Sequence, residues 1–436
     1  MNEKTRLWLE ADRAHCWHPF TDQGAWGAGE PLVLVKGEGV WLEDSEGRRY
    51  LDGNSSIWTN IHGHNHPVLN AAVEAQLGEV AHTSFLGYAN PRASELAERL
   101  VGQFPEGSLE RVFFSDDGST AVEVAVKMAI QYRQQTGEEE RTGFLAFADG
   151  YHGDTMGAAS LGGVKRFFDR FRQFGFPVRH VESVEVLRSL SEEEIAKTAA
   201  VVIEPLVQGV NEMRVWPEGM LRELRDWCDA TGVQLICDEV MTGFGRTGTM
   251  FACQQEEVVP DYLCLAKGLT GGYLPLAATL TTGKIYEAFL GGPEKVFYYG
   301  HSYTANQLGA AVALASLDLL EAEGFLEGVR ERAGEMAGLL RELKGACPNV
   351  HEVRQRGLIA GVDLREEDGS YFAERGKAGA EVCAKAREFG LLTRPIQDTV
   401  VLMPPLVATG EEIGEMVERL ERAISGTVER AAAQGR

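Results

Sequence analysis

Nothing in the sequence offers the roughly 18 uninterrupted apolar residues that a membrane-spanning helix requires. The opening stretch, MNEKTRLWLEAD, also lacks the apolar core of a secretory signal. The expectation is a cytoplasmic protein. Cysteine is sparse, with seven residues (Cys16, Cys228, Cys237, Cys253, Cys264, Cys347 and Cys383) and no C-x-x-C pair. An odd count without ligand spacing predicts reduced, mostly buried thiols and no metal site. Positive charge is short as well: 42 Lys and Arg stand against 65 Asp and Glu, a net charge of −23. That balance disfavours binding to nucleic-acid phosphates or anionic lipid and favours small-molecule partners. Repeats and low-complexity tracts are missing, and the charged run at 138–142 reads as a solvated loop.

What is present is a regular punctuation. At 436 residues the chain exceeds one ordinary core, so a large domain with a smaller one is expected. From about 60 to 330, short apolar runs alternate with helical patterns: RVFF (111–114), FLAF (144–147), AVVI (200–203), QLIC (234–237) and YLCL (262–265). This pattern predicts an α/β fold with a mostly parallel, helix-covered sheet. Helices are expected over 119–135, 218–231, 306–323 and 327–344, and Ser191 with Glu194 reads as a capping box. After about Arg354 the pattern becomes a separate α+β unit, with LLTRP and VVLMPPL as strands. Residues 31–52 alternate like strands, so the N-terminal segment 1–60 is expected to join that C-terminal unit (331–436), leaving 61–330 as the large domain.

The apolar runs end in polar or glycine residues, and in an open α/β sheet that edge binds ligands. RVFF leads to Gly118 and Ser119 at a helix start, where backbone N–H groups can hold an anion. FLAF leads to Tyr151 and His152, AVVI to Glu204, QLIC to Asp238 and Glu239, and YLCL to Lys267. Each has a bland explanation alone: an acidic pair at a strand end is usually a turn, a Gly-Ser start usually a cap, and a tyrosine usually core. Independent structural residues have no reason to collect at successive strand ends, which favours a shared site.

Lys267 sits in CLAKGLTGGYLP. A phosphate-clamping P-loop needs G-x-x-x-x-G-K-[ST], and Ala266 and Leu269 break that pattern. Gly243, Gly245 and Gly248 satisfy G-x-G-x-x-G, but the acid that a dinucleotide site needs about 20 residues later is not convincingly supplied by Asp261. The remaining use is an amine nucleophile for an aldehyde cofactor. Pyridoxal phosphate needs a helix start for its phosphate, an aromatic ring for stacking and a carboxylate for its pyridine nitrogen. Ser119, Tyr151 and Asp238 match these needs in turn.

The block LICDEVMTGFGRTGTMFACQQEEVVPDYLCLAKGLTGGYLP resembles the signature of class III (subgroup II) pyridoxal-phosphate aminotransferases. WHPFT, SSIWTNIHGHNHP, GYHGDTMG, LTRP and MPPL extend the resemblance from about residue 15 to 420, toward the branch of the family that works in biotin biosynthesis. The resemblance implies a type I pyridoxal-phosphate transferase fold and a homodimer with shared active sites. Lys267 is then the amine that bonds the cofactor 5'-phosphate aldehyde, Asp238 the partner of its ring nitrogen and Tyr151 the ring's neighbour. Gly118, Ser119, Tyr303 and Thr304 would serve the phosphate, Thr304 from the neighbouring subunit. Arg394 would take the carboxylate of an oxo-acid, with Phe20, Ile57, Trp58 and Ser302 around the substrates. Glu204, Asp154 and Arg246 would support these groups, and Glu239 would face away as a structural residue. Phe20, Ile57, the HSYT of 301–304 and Val401 depart from members that use S-adenosylmethionine, and they favour L-lysine as amino donor, with S-adenosylmethionine as the alternative. An ω-amine or ornithine-type aminotransferase is the nearest alternative. A nucleotide-dependent oxidoreductase is disfavoured by the missing fingerprint.

Overall fold

A computed structural model describes residues 1–434, with side chains through Thr427. Seven strands form the central sheet: β1 (Leu109–Ser115), β2 (Gly143–Phe147), β3 (Val178–Val181), β4 (Thr198–Ile203), β5 (Gln234–Asp238), β6 (Tyr262–Leu265) and β7 (Ala277–Thr282). Their order is β1-β7-β6-β5-β4-β2-β3, and only β7 runs antiparallel to its neighbours. The middle strands are apolar on both faces because helices cover both faces. Leu145, Val201, Ile203, Leu235, Cys237 and Leu263 pack into one core, while Phe144, Ala146, Ala200, Val202, Ile236 and Tyr262 alternate into the other. Each fully buried aliphatic side chain contributes about 1.5–3 kcal/mol relative to exposure.

Two strands differ from the sequence reading, which missed β3 and β7. Strand β3, VRHV, is a short edge with mixed polarity. Strand β7, AATLTT, is small and hydroxylated, yet all but its last residue are buried. Its threonines satisfy themselves internally: Thr279 Oγ1 donates to the Ala121 carbonyl at 2.8 Å and Thr281 Oγ1 to the Asp261 carbonyl at 3.0 Å. Paired hydroxyls can enter a core without the desolvation penalty of unpaired ones.

The helix after β1 spans Gly118–Gln135. Asp117 caps it, accepting from the Thr120 N–H at 3.0 Å, while the Asp117 N–H donates to Thr120 Oγ1 at 3.1 Å. The expected capping box at Ser191 opens Glu192–Ala196. Helices Met220–Thr231, Gln307–Leu320 and Phe325–Ala346 lie within a few residues of their expected bounds.

Strands Leu34–Glu38, Trp41–Asp44 and Arg49–Asp52 form an antiparallel meander, and the third pairs in parallel with Leu391–Leu392. The N-terminal segment therefore shares a sheet with a residue pair more than three hundred positions away. A second antiparallel sheet joins Val350–Arg356, Ile359–Leu364, Thr399–Leu402 and Pro395–Ile396. LLTRP is thus not one strand: Leu391–Leu392 and Pro395–Ile396 belong to different sheets, and Arg394 lies in the crossing between them. All seven cysteines are free thiols, six of them buried. Among the described residues no helix is long and apolar enough to cross a membrane.

Candidate active site

The carboxyl ends of β1, β2, β4, β5 and β6 open onto one cavity of about 480 Å³, whose walls include Ser119, Tyr151, Glu204, Asp238 and Lys267. Parallel strands bring these ends to one edge because each crossover returns the chain to the opposite edge before the next strand begins.

Lys267 follows β6 with a left-handed φ of +44°, unusual for a side chain with a Cβ. Its Nζ lies 4.5 Å from the centre of the Trp58 ring. Burial pushes the amine down to about 8, against the opposing charges of Asp238 and Glu204, with Arg246 adding to the depression. About one-tenth of such an amine is neutral at pH 7, far more than for an ordinary lysine. A neutral amine can act both as nucleophile and as base.

Asp238 is buried at the tip of β5. One carboxylate oxygen meets His152 Nδ1 at 2.8 Å, and the other accepts the Val240 N–H at 3.1 Å. Burial alone would lower the His152 pKa, but the hydrogen bond and charge of Asp238, with the charge of Glu204, outweigh it and raise it. His152 thus holds the orientation of Asp238. Sequence reading placed His152 in the same turn as Tyr151 without this role; the GYHGDT motif contained the residue, but its partner lies on another strand.

Glu204 is buried and pushed up to about 7, chiefly by desolvation and despite the nearby His152. It accepts the Tyr151 N–H at 3.0 Å and the Gly209 N–H at 2.8 Å, so it anchors the turn that carries Tyr151. The Tyr151 hydroxyl donates to Asp154 at 2.6 Å, and burial together with that bond raises its pKa. The Asp154 N–H donates to Ser119 Oγ at 3.0 Å, tying this turn to the start of the Gly118–Gln135 helix. Gly153 makes the approach possible, since a Cβ there would stand 2.1 Å from Ser119 Oγ at a φ of +119°.

A second cavity of about 500 Å³ shares Tyr151, Trp58 and Lys267 with the first and extends to Phe20, Ile57 and Arg394. The Arg394 guanidinium is exposed there and forms no ion pair among the described residues. Phe20 stacks edge-on against Phe167 at 5.4 Å, and buried Val401 lines the same space. Ser302, Tyr303 and Thr304 line neither cavity. Tyr303 is exposed and stacks on His82 at 4.6 Å, and the Thr304 hydroxyl accepts the His301 N–H at 3.1 Å. Glu239 faces away from the cavity, accepting the N–H groups of Ala252 at 2.6 Å and Cys253 at 2.7 Å. Arg246 is fully buried, donating to the Asn60 carbonyl at 2.8 Å and to that of Pro404.

The residues fit pyridoxal phosphate. The N–H groups of Gly118 and Ser119 open a helix of eighteen residues beside the cavity and have no intrahelical acceptor. A buried carboxylate, a flanking aromatic ring and an amine poised near neutrality complete the donor set that the phosphate, pyridine ring and aldehyde need.

Comparison with known proteins agrees. The model of the aminotransferase class-III family matches residues 25–424. The adenosylmethionine-8-amino-7-oxononanoate aminotransferase of Geobacter sulfurreducens is 44% identical over 96% of this chain and 98% of its own. The enzyme of the same name from Nitratidesulfovibrio vulgaris is 45% identical over 97% of this chain and 82% of its own. Among solved structures, that of the Methanocaldococcus jannaschii adenosylmethionine-8-amino-7-oxononanoate aminotransferase superposes with a TM-score of 0.93 at 39% identity, covering 97% of this chain and 99% of that one. An amine transaminase from an uncultivated Pseudomonas species, solved with pyridoxal phosphate bound, gives 0.90 at 35% identity, covering 94% and 98%. The chain therefore belongs to the class III aminotransferases and is a pyridoxal-phosphate-dependent aminotransferase of the type I fold.

Proposed function

We propose that the protein aminates 8-amino-7-oxononanoate to 7,8-diaminononanoate in biotin biosynthesis, with L-lysine as the favoured amino donor and S-adenosylmethionine as the alternative. The acceptor is supported by the names of relatives that align over nearly the whole chain. The observation that carries the reading is one cavity of about 500 Å³ lined by both Lys267 and the Arg394 guanidinium, which has no ion-pair partner among the described residues and is free to take the carboxylate of an oxo-acid. Those relatives' names specify adenosylmethionine as donor. Lysine is favoured by the apolar groups of Phe20, Ile57 and Val401 along the substrate cavity, which offer no hydroxyl to a large polar nucleoside.

When bound, pyridoxal phosphate supplies an electron sink for the charge left as a proton departs the donor carbon. Lys267 would take that proton at Nζ and return it to the carbon on the other side of the transferred nitrogen, a 1,3 shift. Asp238, held by His152, would keep negative charge against the ring nitrogen. The Gly118 and Ser119 amides and the Ser119 hydroxyl would bind the phosphate, and Tyr151 would lie against the ring. Arg394 would fork onto the carboxylate in a way a lysine could not reproduce. Tyr303 and Thr304, which line neither cavity of their own chain, would serve the neighbouring site of a homodimer.

The test is to supply L-lysine or S-adenosylmethionine separately with 8-amino-7-oxononanoate and measure diaminononanoate. Product with lysine alone supports the favoured donor, and product with S-adenosylmethionine alone overturns it. Product with neither removes the acceptor and leaves an ω-amine or ornithine-type aminotransferase.

A further inference from the structure

The segment between the Arg49–Asp52 strand and the substrate cavity has a backbone that its composition does not explain. Ser55, Ser56, Ile57 and Trp58 have φ values of +46°, +49°, +70° and +68°, four consecutive left-handed residues without a glycine. L-residues adopt this conformation singly and avoid it in runs, because each Cβ crowds the following carbonyl oxygen. For β-branched Ile57 the conformation is a true outlier. Runs of this kind persist only where surrounding bonds over-determine them, and they cluster at ligand sites.

Backbone bonds from the Trp58 N–H to Asn54 and from the Thr59 and Asn60 N–H groups to Ser55 close the turn, and side-chain bonds at its centre converge on Asp52, a buried carboxylate that lines neither cavity. Its Oδ1 accepts the Ser56 N–H at 3.0 Å, and its Oδ2 accepts the Ser56 hydroxyl at 2.9 Å. His64 Nε2 meets the same Oδ2 at 2.9 Å, while Asn60 Nδ2 lies 3.2 Å from His64 Nδ1. The imidazole thereby braces the carboxylate from behind. Two further bonds fix the turn's ends: Ser55 Oγ donates to the Met403 carbonyl at 2.7 Å, and Trp58 Nε1 donates to Asn54 Oδ1 at 2.9 Å. The turn presents Ile57 and Trp58 to the substrate cavity, with the Trp58 ring facing Lys267 Nζ. A right-handed path through the same residues would turn their side chains in another direction.

We infer that Asp52 is a positioning residue for substrate recognition: through Ser56 it holds the left-handed turn that sets Ile57 and Trp58 against the substrates beside Lys267. Its effect falls first on the substrates, because the phosphate and ring-nitrogen groups hang on strands of the central sheet, while Asp52 ends a strand of the N-terminal sheet.

The test uses cofactor-loaded Asp52→Ala, Ser56→Ala and Ser56→Gly proteins, read by KM and kcat for each substrate, by absorbance titration of cofactor affinity and by melting temperature. Asp52→Ala is expected to raise KM for the oxo-acid at least tenfold with cofactor affinity within twofold of wild type. Ser56→Ala, which loses the hydroxyl and retains a Cβ at positive φ, is expected to raise KM several-fold. Ser56→Gly, which adopts positive φ freely, is expected to raise it less. KM values within twofold of wild type for both Asp52→Ala and Ser56→Ala overturn the inference. So does a loss of cofactor affinity in proportion to KM, which marks a merely structural role. If Asp52→Ala is insoluble, Ser56→Ala decides, and a KM within twofold of wild type overturns the inference. The inference rests on the proposed acceptor only for the choice of oxo-acid. Wild-type protein that makes no diaminononanoate removes that acceptor, and the same variants are then read with the oxo-acid that wild type accepts.

Discussion

The two walls of the proposed active site, one for the cofactor and one for the substrates, are built by different means. The cofactor wall is a row of strand ends, with Gly118–Ser119, Tyr151, Glu204, Asp238 and Lys267 each set by the regular sheet that precedes it. The substrate wall combines a loop at Phe20, a left-handed turn at Ile57 and Trp58, and the crossing between two sheets at Arg394. A regular sheet holds reactive groups in fixed register, which chemistry common to every substrate requires. Irregular segments can vary shape and polarity without disturbing that register, and they set which molecule enters.

The largest expected effect comes from breaking the cofactor wall. Lys267→Ala should lower turnover by at least ~10³-fold, in the upper part of the range for losing a positioned acid–base group. The bound cofactor should also lose its covalent link, as read by absorbance. Near-normal turnover would refute the role of Lys267. Next comes the substrate wall: Arg394→Ala should raise KM for the oxo-acid by about 10- to 100-fold, as for losing a charge-assisted hydrogen bond, with a smaller change in kcat. An equal fall in kcat with KM unchanged would show that Arg394 does not bind the carboxylate.

A third prediction concerns the support beneath the cofactor wall. The carboxyl of Glu204 is pushed up to about 7 in the folded protein, from an ordinary value of 4.5. Between those values the folded state binds more protons than the unfolded one, so this group's stabilising effect is present at low pH and is lost as pH rises through about 7. Glu204→Gln should flatten the decline of melting temperature across that window, even if the amide costs about 1–2 kcal/mol through the bond it fails to accept. An unchanged slope would show that Glu204 does not titrate there. The smallest effect is expected at the substrate wall: Phe20→Tyr adds one hydroxyl and should improve kcat/KM for S-adenosylmethionine relative to L-lysine by about 2- to 10-fold. Competition between the two donors would detect it, and a ratio that does not move would separate Phe20 from donor choice.

The same contrast governs what could be read from the residues alone. Strands β2, β4, β5 and β6 stand out because burial on both faces demands unbroken apolar runs, and the residues after them mark the ligand edge. Strand β7 escaped because its polarity is satisfied by backbone carbonyls contributed by other elements. His152 lay in a visible motif, but its bond to Asp238 joins residues 86 positions apart. The turn at Ser55–Trp58 carries no glycine to signal its handedness. LLTRP read as one strand, since a change of sheet at Arg394 leaves no mark in local composition.

The order of residues was therefore sufficient for the α/β class and for the row of strand-end residues, Lys267 among them, that meets at one cavity, because periodicity, turn chemistry and motif spacing are local properties. Tertiary structure alone decided that His152 braces Asp238, that Asp52 bonds a strained turn through Ser56 and that Arg394 and Lys267 line one cavity. Those outcomes depend on which distant segments pack together. Hydrogen bonds and burial at such junctions select backbone angles and ionisation states that the isolated segments would not adopt.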